Sequence, residues 1–397
     1  MNKKNILAID VGTGMVKVFA GKLQADGSVA IVGSGTAPTA GYARGVITDI
    51  NALAYSIRQA VDCVIMAADT QAAGGVYLGL SGSTLVTQNS IGSVAPSTPG
   101  TVTRLDVERA CKAAMFSVAQ DDADILHVFP AKESAVLPGT ALEVEAHIIS
   151  APQAIIQELR EALAGKGIQL NGIVAGSVIA AETMKNELPA RPGNFIFIDM
   201  GAGTSELVIY VGGNLCYSAS LPLGGDYITS DLMQGIGVSQ AHAEEIKRYY
   251  SRLSPDLRNQ GIVLDCNDYG TTDKHVHFDF LYDIIESRVD EIVTLMYDYL
   301  KPLMDKYLPG SEQTFERIYL TGGSGATPSM AACVAKVFQL DTEVVKPDRL
   351  AAEYVHPSNT VCYGIISHGT RIVANEPEAG QSAWGVFIDK AKKLLKI

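Results

Sequence analysis

Two glycine-containing turns carry an aspartate at the same position relative to their glycines. They read Asp10-Val-Gly-Thr-Gly14 and Asp199-Met-Gly-Ala-Gly203, and each lies between two apolar runs rich in β-branched residues. This pattern predicts two β-hairpins. Glycines without a Cβ let backbone N–H groups approach a bulky anion, and an aspartate at a strand end can hold Mg²⁺ through water. One such turn alone is equally typical of an ordinary hairpin, so the chemical interpretation depends on the pair.

The repetition of this turn predicts a duplicated fold in which two hairpins face each other across a cleft. The phosphates of a nucleotide would lie between the hairpins, with Mg²⁺ between Asp10 and Asp199. The candidate nucleotide-binding residues of the two hairpins are Asp10, Gly12, Thr13, Gly14, Lys17, Asp199, Gly201, Gly203 and Thr204.

Two later glycine turns are candidates for the same cleft. Gly224-Gly225 precedes a predicted helix and could approach phosphate, although a plain glycine turn explains it equally well. Gly322-Gly323-Ser324 precedes a helix start at Thr327-Pro328, and with both hairpins in place it could support an adenosine against its backbone. Glu244 and Lys247 share one face of a predicted helix, where the residues alone favour an ordinary ion pair.

The composition narrows the class of protein. A chain of 397 residues is long enough for two or more domains, and 47% hydrophobic with 19% charged residues is typical of a folded protein. A net charge of −12 argues against general nucleic-acid binding. Six cysteines without a Cys-x-x-Cys pair suit reduced thiols in the cytoplasm. Asp10 interrupts the first apolar run, so we expect a strand there rather than a signal peptide, and no run is long enough to span a bilayer.

The order of predicted elements indicates an α/β protein with an insertion in its first half. Residues 82–168 contain a predicted loop, a helix, two strands and a second helix, which is enough for a small α/β subdomain. His127 and His147 lie in its apolar strands and are predicted to be structural. The remaining divisions are a first half at 1–81 and 169–190, a second half at 191–373 with a smaller subdomain at about 227–310, a linker at 374–382 and a terminal segment at 383–397.

The terminal segment has the pattern of an amphipathic helix. Fifteen helical residues span only about 22 Å, too little to cross a bilayer, but such a helix can lie in the headgroup plane. Docking against the protein body is the alternative interpretation; the polar linker and the basic charge of this end favour membrane binding. The candidate membrane-binding residues are Trp384, Phe387, Ile388, Lys390, Lys392, Lys393, Leu394 and Leu395.

The two hairpins and the Gly322–Ser324 turn resemble the phosphate and adenosine motifs of the actin and heat-shock-chaperone superfamily. Within it, the chain resembles the bacterial cell-division FtsA family along nearly its whole length. The resemblance depends on the terminal segment, on the insertion ending in Leu142–Ile149 and on several short motifs. These motifs are Gly45-Val-Ile-Thr-Asp49, Leu223–Asp231, Ala243–Lys247 and Ile284–Ile292.

The resemblance implies duplicated actin-like, ribonuclease-H-like halves around a nucleotide cleft, with ATP and Mg²⁺ as ligands. It implies a protein that polymerises at the cytoplasmic face of the cell membrane, at the division site, and anchors the tubulin-like division protein FtsZ through that protein's C-terminal peptide. Glu244 and Lys247 would contact the adenosine. The insertion would serve filament contacts and help to recruit later division proteins.

Two departures from the superfamily pattern bear on catalysis. The second phosphate motif usually ends in aspartate, and this chain has Glu206 there. Ala175-Gly-Ser177 stands where chaperones and actin carry an acid or amide that orients the attacking water. We therefore expect ATP binding with weak or no ATPase activity.

Two other functions are compatible with the fold. A PilM-like actin homologue would act as a cytoplasmic binding module in pilus assembly, without the linker and amphipathic segment. A kinase of the same superfamily would need a carboxylate base beside an acceptor pocket, and the sequence offers no residue that we can name for that role.

Overall fold

The computed structural model of the chain describes residues 5–24, 28–68, 73–98, 101–119, 122–134, 141–188, 193–250, 258, 260–266, 275–309 and 314–374. Its strands are β1 (Asn5–Val11), β2 (Met15–Leu23), β3 (Val29–Pro38), β4 (Tyr42–Ala43), β5 (Val46–Ile47), β6 (Ala73–Leu80), β7 (Val86–Val94), β8 (Ala123–Ser134), β9 (Leu142–Pro152), β10 (Gly172–Ala175), β11 (Phe195–Met200), β12 (Ser205–Val211), β13 (Asn214–Leu221), β14 (Val263–Asp265), β15 (His275–His277), β16 (Arg317–Thr321) and β17 (Thr342–Val344). Its α-helices are α1 (Ile50–Ala68), α2 (Arg104–Val118), α3 (Gln153–Ala164), α4 (Gly176–Lys185), α5 (Asp226–Ile236), α6 (Gln240–Tyr250), α7 (Phe278–Tyr307), α8 (Pro328–Phe338) and α9 (Thr360–Ala374).

Two five-stranded sheets share one strand order. The first runs β3-β2-β1-β6-β10 and the second β13-β12-β11-β16-β17. In each sheet the first three strands of the half form an antiparallel meander, and the next two pair in parallel on the other side of its first strand. The same topology twice in one chain confirms the duplicated α/β fold.

A single buried core joins the two halves. It takes apolar side chains from both sheets and from α4 and α9. Within it Phe195 stacks on Tyr210 with ring centroids 4.3 Å apart, and both rings are fully buried. Burying each such side chain stabilises the fold by roughly 1.5–3 kcal/mol. The hairpins at the start of each sheet are therefore held on a common support.

The outer faces of the two sheets have separate cores. In the first half α1 and α3 cover the sheet, and in the second half α5, α6, α7 and α8 do so. The apolar positions of α1 that the sequence places at helical spacing are all buried. Small sheets formed by β4 with β5 and by β14 with β15 complete the halves.

Between β6 and β10 the chain forms a three-stranded sheet, β7-β9-β8, with its own core against α2. By contrast, α3 packs in the core of the first half, although the sequence assigned residues 82–168 to the insertion. We therefore propose that the inserted subdomain ends near Pro152, where β9 gives way to α3.

His147 links the inserted sheet to the second half. Its Nδ1 lies 2.6 Å from Asn89 Oδ1 and its Nε2 lies 2.8 Å from Ser218 Oγ in β13. Burial lowers the pKa of His147 to about 3, so the ring is neutral. His127 is also buried, and its Nε2 accepts the backbone N–H of Ala175. Both histidines have structural roles.

Within the described residues, each helix is too short or too polar to cross a bilayer. The linker from residue 375 onward and the candidate membrane-binding segment 383–397 lie outside the described residues.

Candidate functional site

The two hairpins place unlike residues opposite equivalent aspartates. In the first hairpin Asp10 pairs with Lys17, and in the second Asp199 pairs with Glu206. In both, the aspartate lies near the end of a buried strand, immediately before the turn. The equal register means that the aspartates occupy matching positions in the two halves.

The two turns contact each other across the cleft. A Cβ added to Gly203 would lie 2.6 Å from Thr13 Oγ1, which is closer than such atoms approach. A Cβ added to Gly14 would lie 3.4 Å from the Cβ of Ala202. Gly203 is therefore required for the close approach of the hairpins.

A cleft of about 570 Å³ lies between the halves. The sequence-predicted residues that line it are Asp10, Gly12, Thr13, Gly14, Lys17, Asp199, Gly201, Thr204, Glu244, Lys247, Gly322, Gly323 and Ser324. Gly203, Gly224 and Gly225 do not line this cleft. Gly224 packs against the carbonyl of Ala202, and Gly225 donates its N–H to Gly201 O at 3.1 Å, so both support the second turn. Gly203 packs against Thr13 of the first hairpin.

Asp199 is buried and Asp10 is partly buried, and the two carboxyls lie within electrostatic reach of one another. Burial raises the pKa of Asp10 to about 7; Lys17 opposes this shift and Asp199 adds to it. Burial also raises the pKa of Asp199, against the hydroxyl of Ser177, which donates to Asp199 Oδ2 at 2.7 Å, and against the charge of Lys17. Because a bound divalent cation favours the charged form, Mg²⁺ would convert this pair into its ligands.

The donor set suits Mg²⁺ bound mainly through water. No cluster of three or more potential metal-ligating side chains occurs among the residues that the structure describes. Mg²⁺ usually keeps several waters and takes one or two carboxylates together with substrate phosphates. Asp10 and Asp199 meet that requirement.

Lys17 supplies a buried cation to the floor of the cleft. Its Nζ donates to the carbonyl of Ser358, which lies just before α9. Burial lowers the pKa of Lys17, and the charges of Asp10, Cys362 and Asp199 oppose that shift. The ammonium is therefore held by a hydrogen bond to the second half and by the charges of Asp10 and Asp199.

Glu206 bonds to groups in both halves. Its Oε1 accepts the Ser220 hydroxyl at 2.8 Å and the backbone N–H of Gly82 at 3.0 Å. Burial raises the pKa of Glu206 to about 7; Ser220 opposes the shift, whereas the charge of Asp199 adds to it.

Glu244 and Lys247 form one polar group at the far side of the cleft. Lys247 Nζ donates to Glu244 Oε1 at 2.5 Å, to Thr229 Oγ1 at 2.7 Å and to Gly225 O at 3.0 Å. Burial works against the charged form of Glu244, but Lys247 and the Thr229 hydroxyl hold its pKa below the usual value. This ion pair is not a solvated one, because it connects α6 to the turn before α5.

The turn at Gly322–Ser324 is fastened to the second hairpin. Gly322 has φ +90°, and a Cβ there would lie 2.3 Å from Met200 O and 2.5 Å from Asp199 Oδ1. Ser324 donates its N–H to Met200 O at 3.0 Å and its hydroxyl to Gly201 O at 2.8 Å. The candidate adenosine and phosphate turns therefore form one rigid surface.

Comparison with known proteins agrees with this arrangement. The family model described as cell division protein FtsA matches residues 196–364, from the second hairpin into α9. Curated proteins named cell division protein FtsA align over most of both chains. Those of Buchnera aphidicola (from Acyrthosiphon pisum, strain APS), Escherichia coli K12 and Neisseria meningitidis serogroup B are 26%, 25% and 27% identical, and the alignments cover 99%, 93% and 96% of this chain and 94%, 91% and 94% of theirs. The chain is thus similar to FtsA proteins along nearly its whole length.

Solved structures place the chain in the actin-like fold. The PilM–PilN type IV pilus biogenesis complex is similar with a TM-score of 0.67 at 18% identity, covering 92% of this chain and 98% of that one. MreB 5 of Spiroplasma citri, solved bound to AMPPNP, is similar with a TM-score of 0.53 at 15% identity, covering 94% and 98%. At these identities the likeness supports the fold alone. The chain thus has an actin-like fold and is similar in sequence to cell-division proteins.

Several residues that line the cleft were not among the sequence-predicted ligands. They are Tyr42, Ser81, Asp226, Gln240, Arg248, His356 and Ser358, among others. Asp226 follows the Gly224-Gly225 turn, so its place at a helix start near the cleft could have been inferred. The contact of Lys17 with the Ser358 carbonyl has no sequence signal, since any residue supplies a carbonyl.

Proposed function

We propose that the chain binds ATP with Mg²⁺ between its two hairpins, assembles with itself, and anchors FtsZ at the cytoplasmic face of the membrane at the division site. The observation that carries this proposal is the contact of two equivalent turns across one cleft lined by both Asp10 and Asp199. The similarity to FtsA over nearly the whole chain supports the role in division.

The cleft has the size and chemistry that Mg·ATP needs. A volume of about 570 Å³ falls within the range of small-molecule sites. The backbone of the turns at Gly12–Gly14 and Gly201–Thr204 would surround the phosphates, and Lys17 would act on them as a point charge. Asp10 and Asp199 would hold Mg²⁺. The ion would neutralise phosphate charge.

The adenosine end of the ligand would lie against the second half. Gly322–Ser324 offers a flat backbone surface beside the phosphate turn, fixed by the Ser324 hydrogen bonds. Glu244 and Lys247 lie at the same side of the cleft, where their polar atoms suit the hydroxyls of a ribose. Two separate elements, the Gly322–Ser324 turn and α6, would thus contact the nucleoside.

Hydrolysis is expected to be slow. Ala175 ends β10 and Ser177 lies in the first turn of α4, at the position where a residue that orients the attacking water would be expected. The Ser177 hydroxyl already donates to Asp199. Neither side chain can position water as a free carboxylate or amide does. Steady-state phosphate release from the purified protein should stay far below turnover typical of a kinase, and release at kinase-like rates would contradict this part of the proposal.

The membrane contact is proposed for residues 383–397. Their apolar residues recur at helical spacing, with lysines mostly around the other side, and each lysine near an anionic leaflet contributes about 1 kcal/mol. The smaller subdomain at about 227–310 would receive the FtsZ peptide, and the inserted subdomain would serve filament and partner contacts.

Co-sedimentation with vesicles tests the proposal as a whole. Full-length protein and a truncation ending at Ser382 are each mixed with phosphatidylglycerol-containing or pure phosphatidylcholine vesicles, with and without Mg·ATP and FtsZ. We expect full-length protein to bind the anionic vesicles and to bring FtsZ down in an ATP-dependent way, whereas the truncation should do neither. Failure of the full-length protein to bind either vesicles or FtsZ would refute the anchoring function.

The same truncation tests the PilM-like alternative, and a turnover assay tests the kinase. A PilM-like module needs no membrane segment, so vesicle binding that survives removal of residues 383–397 would favour it. The higher TM-score of the PilM–PilN complex does not favour it, because 18% identity supports only the fold. A kinase would be revived only by ATP turnover that depends on a small acceptor.

A further inference from the structure

Glu206 lies in the second half but bonds to the first. Its Oε1 receives the Ser220 hydroxyl from β13 at 2.8 Å and the Gly82 N–H from the turn after β6 at 3.0 Å. The side chain is only 8% exposed. A buried carboxylate shared by two halves of a cleft protein links their positions to each other.

The reach of this side chain matters as much as its charge. An aspartate at position 206 would be one methylene shorter, a loss of about 1.5 Å. From a strand fixed in register opposite Asp199, a carboxylate that short could not keep both hydrogen bonds. A glutamine, by contrast, has the same length and keeps an oxygen that can accept both.

The Gly82 turn is itself locked to the β4–β5 hairpin. Gly45 and Gly82 both have positive φ, and a Cβ on Gly82 would lie 2.1 Å from the Gly45 Cα. Tyr42 donates its hydroxyl to Ser81 O at 2.8 Å, and Thr84 donates its hydroxyl to Gly45 O at 3.2 Å. Hairpin and turn therefore move as one unit.

The tip of that hairpin makes a second contact with the other half. Arg44 and Gly45 form a two-residue turn with φ +48° and +79°, a conformation in which Asn-Gly is preferred. Arginine is thus an unfavourable residue for the backbone here. Its guanidinium lies over the ring of Tyr227 in α5, 4.9 Å from the centroid.

The Tyr227 ring also connects this tip to a second element of the other half. Arg288 of α7 approaches the same ring, 5.7 Å from its centroid. Arg288 in turn forms a two-pronged ion pair with Asp231 of α5 at 2.5 and 2.9 Å. The surface that Arg44 contacts is therefore rigid, as a docking point between halves must be.

We propose that the β4–β5 hairpin and the Gly82 turn, residues 42–47 and 81–84, form a clasp that holds the two halves together across the cleft before any ligand enters. In the second half the clasp engages Glu206 and Tyr227. Glu206 acts as a positioning residue, and the reach of its side chain is the property that counts.

Spin-label distances test the clasp directly, without nucleotide. Cys63 on α1 is the exposed one of the six cysteines, and Asp298→Cys adds an exposed site on α7, so nitroxides on both report the separation of the halves. In this labelled background, Glu206→Asp should lengthen and broaden the distance distribution measured by pulsed electron resonance. Glu206→Gln should leave it unchanged, because it preserves length.

A substitution of Arg44 tests its contact with Tyr227. Arg44→Asn gives the turn its preferred residue but removes the guanidinium, so the hairpin should form as well as before while the halves separate more often. We expect a broadened distance distribution and an ATP dissociation constant raised by about fivefold, the effect of a fivefold smaller closed population. If Glu206→Asp fails to fold, the distance distribution of Arg44→Asn alone tests the clasp.

Three results would overturn the clasp. They are unchanged distances in Glu206→Asp, equal lengthening in Glu206→Asp and Glu206→Gln, or unchanged distances in Arg44→Asn. Of these measurements, only the ATP dissociation constant of Arg44→Asn rests on the proposed function. If the wild-type protein failed to bind ATP, that function would fall while the ligand-free distances still tested the clasp.

Discussion

The two hairpins have the same register and the same aspartate, but opposite charges stand across from it. Lys17 faces Asp10 in the first half, and Glu206 faces Asp199 in the second. The cation donates to the Ser358 carbonyl and the carboxylate accepts the Gly82 N–H, so each side chain contacts a different segment of the other half. We propose that these two residues have different tasks in the duplicated framework: Lys17 would bind phosphate, and Glu206 would hold the two halves together.

The difference explains why the cleft can be both acidic and suited to a nucleotide. Lys17 is a buried cation beside two carboxyls, and Mg²⁺ would add further positive charge. Glu206 accepts hydrogen bonds from Gly82 and Ser220, and its pKa of about 7 means that part of it is protonated near neutral pH, which reduces its repulsion toward phosphate.

Removing the second aspartate should have the largest effect. Asp199→Ala deletes a proposed Mg²⁺ ligand and leaves Ser177 without its acceptor, so ATP affinity should fall by roughly 100-fold. Assembly should be lost, whereas vesicle binding through residues 383–397 should persist in part. Asp298→Ala, at an exposed site on α7, is the matched control. Unchanged affinity in Asp199→Ala would remove this aspartate from the binding site.

Removing the cation should have the next largest effect. Lys17→Met keeps an unbranched apolar stem but loses the charge, and ATP affinity measured by calorimetry should fall by roughly 10-fold to 30-fold. ADP should be affected less, since it carries less charge. Lys22→Met, further along the same strand, controls for packing. A loss equal for ATP and ADP would argue against a role at the terminal phosphate.

The stability of the ligand-free protein should depend on pH, because each hairpin contains a carboxyl with a raised pKa. Asp10 and Glu206 have pKa values raised from 3.8 and 4.5 to about 7, in both cases chiefly by burial. Because each binds its proton more tightly folded than unfolded, the stability it contributes is full below the unfolded pKa and is lost as pH rises through 7. The melting temperature should therefore be lower at about pH 8 than at about pH 6, by roughly 5 °C.

Two further measurements show which carboxyls cause the change of melting temperature with pH. Glu206→Gln should flatten it partly, and Mg·ATP should reverse it, because a bound cation favours the ionised aspartates. A melting temperature that rises with pH in the ligand-free protein would show that these carboxyls are already charged.

The inserted subdomain should affect nucleotide binding least. His147 bonds to Ser218 in β13, the strand that also supplies Ser220 to Glu206. His147→Ala removes the hydrogen bonds of the ring to Asn89 and Ser218 and should lower the free energy of unfolding by roughly 1–3 kcal/mol. ATP affinity should stay within about twofold, since β13 is still paired with β12 along its length. A larger loss would mean that the insertion sets the position of the second hairpin.

The features that sequence could predict are those with local signals. Each hairpin is indicated by glycines between apolar runs, and the duplicated strand order follows from the repetition. The α1 helix follows from buried residues at helical spacing, such as Leu53 and Ile57. These elements are decided by patterning within a few residues, which a single sequence displays.

Contacts between distant segments could not be predicted in the same way. Glu206 stands out in the sequence only as a departure from a motif, and its bond to Gly82 is visible only once the halves are assembled. The β7 strand (Val-Thr-Gln-Asn-Ser-Ile-Gly-Ser-Val) was missed, since polar and small residues dominate it and its partner β9 supplies the apolar core. The sequence also does not show where the insertion ends, because α3 joins the first-half core through contacts that its own residues do not specify.

Equilibrium binding of ATP to the full-length protein tests the nucleotide clamp most directly. Isothermal titration calorimetry is run with and without Mg²⁺, on the wild-type chain and on the Asp10→Ala, Asp199→Ala double variant. We predict one ATP per chain, tighter binding with Mg²⁺, and loss of both the binding and the Mg²⁺ effect in the double variant. Absence of binding in the wild type, or Mg²⁺-dependent binding that survives the double substitution, would contradict a clamp built on these two aspartates.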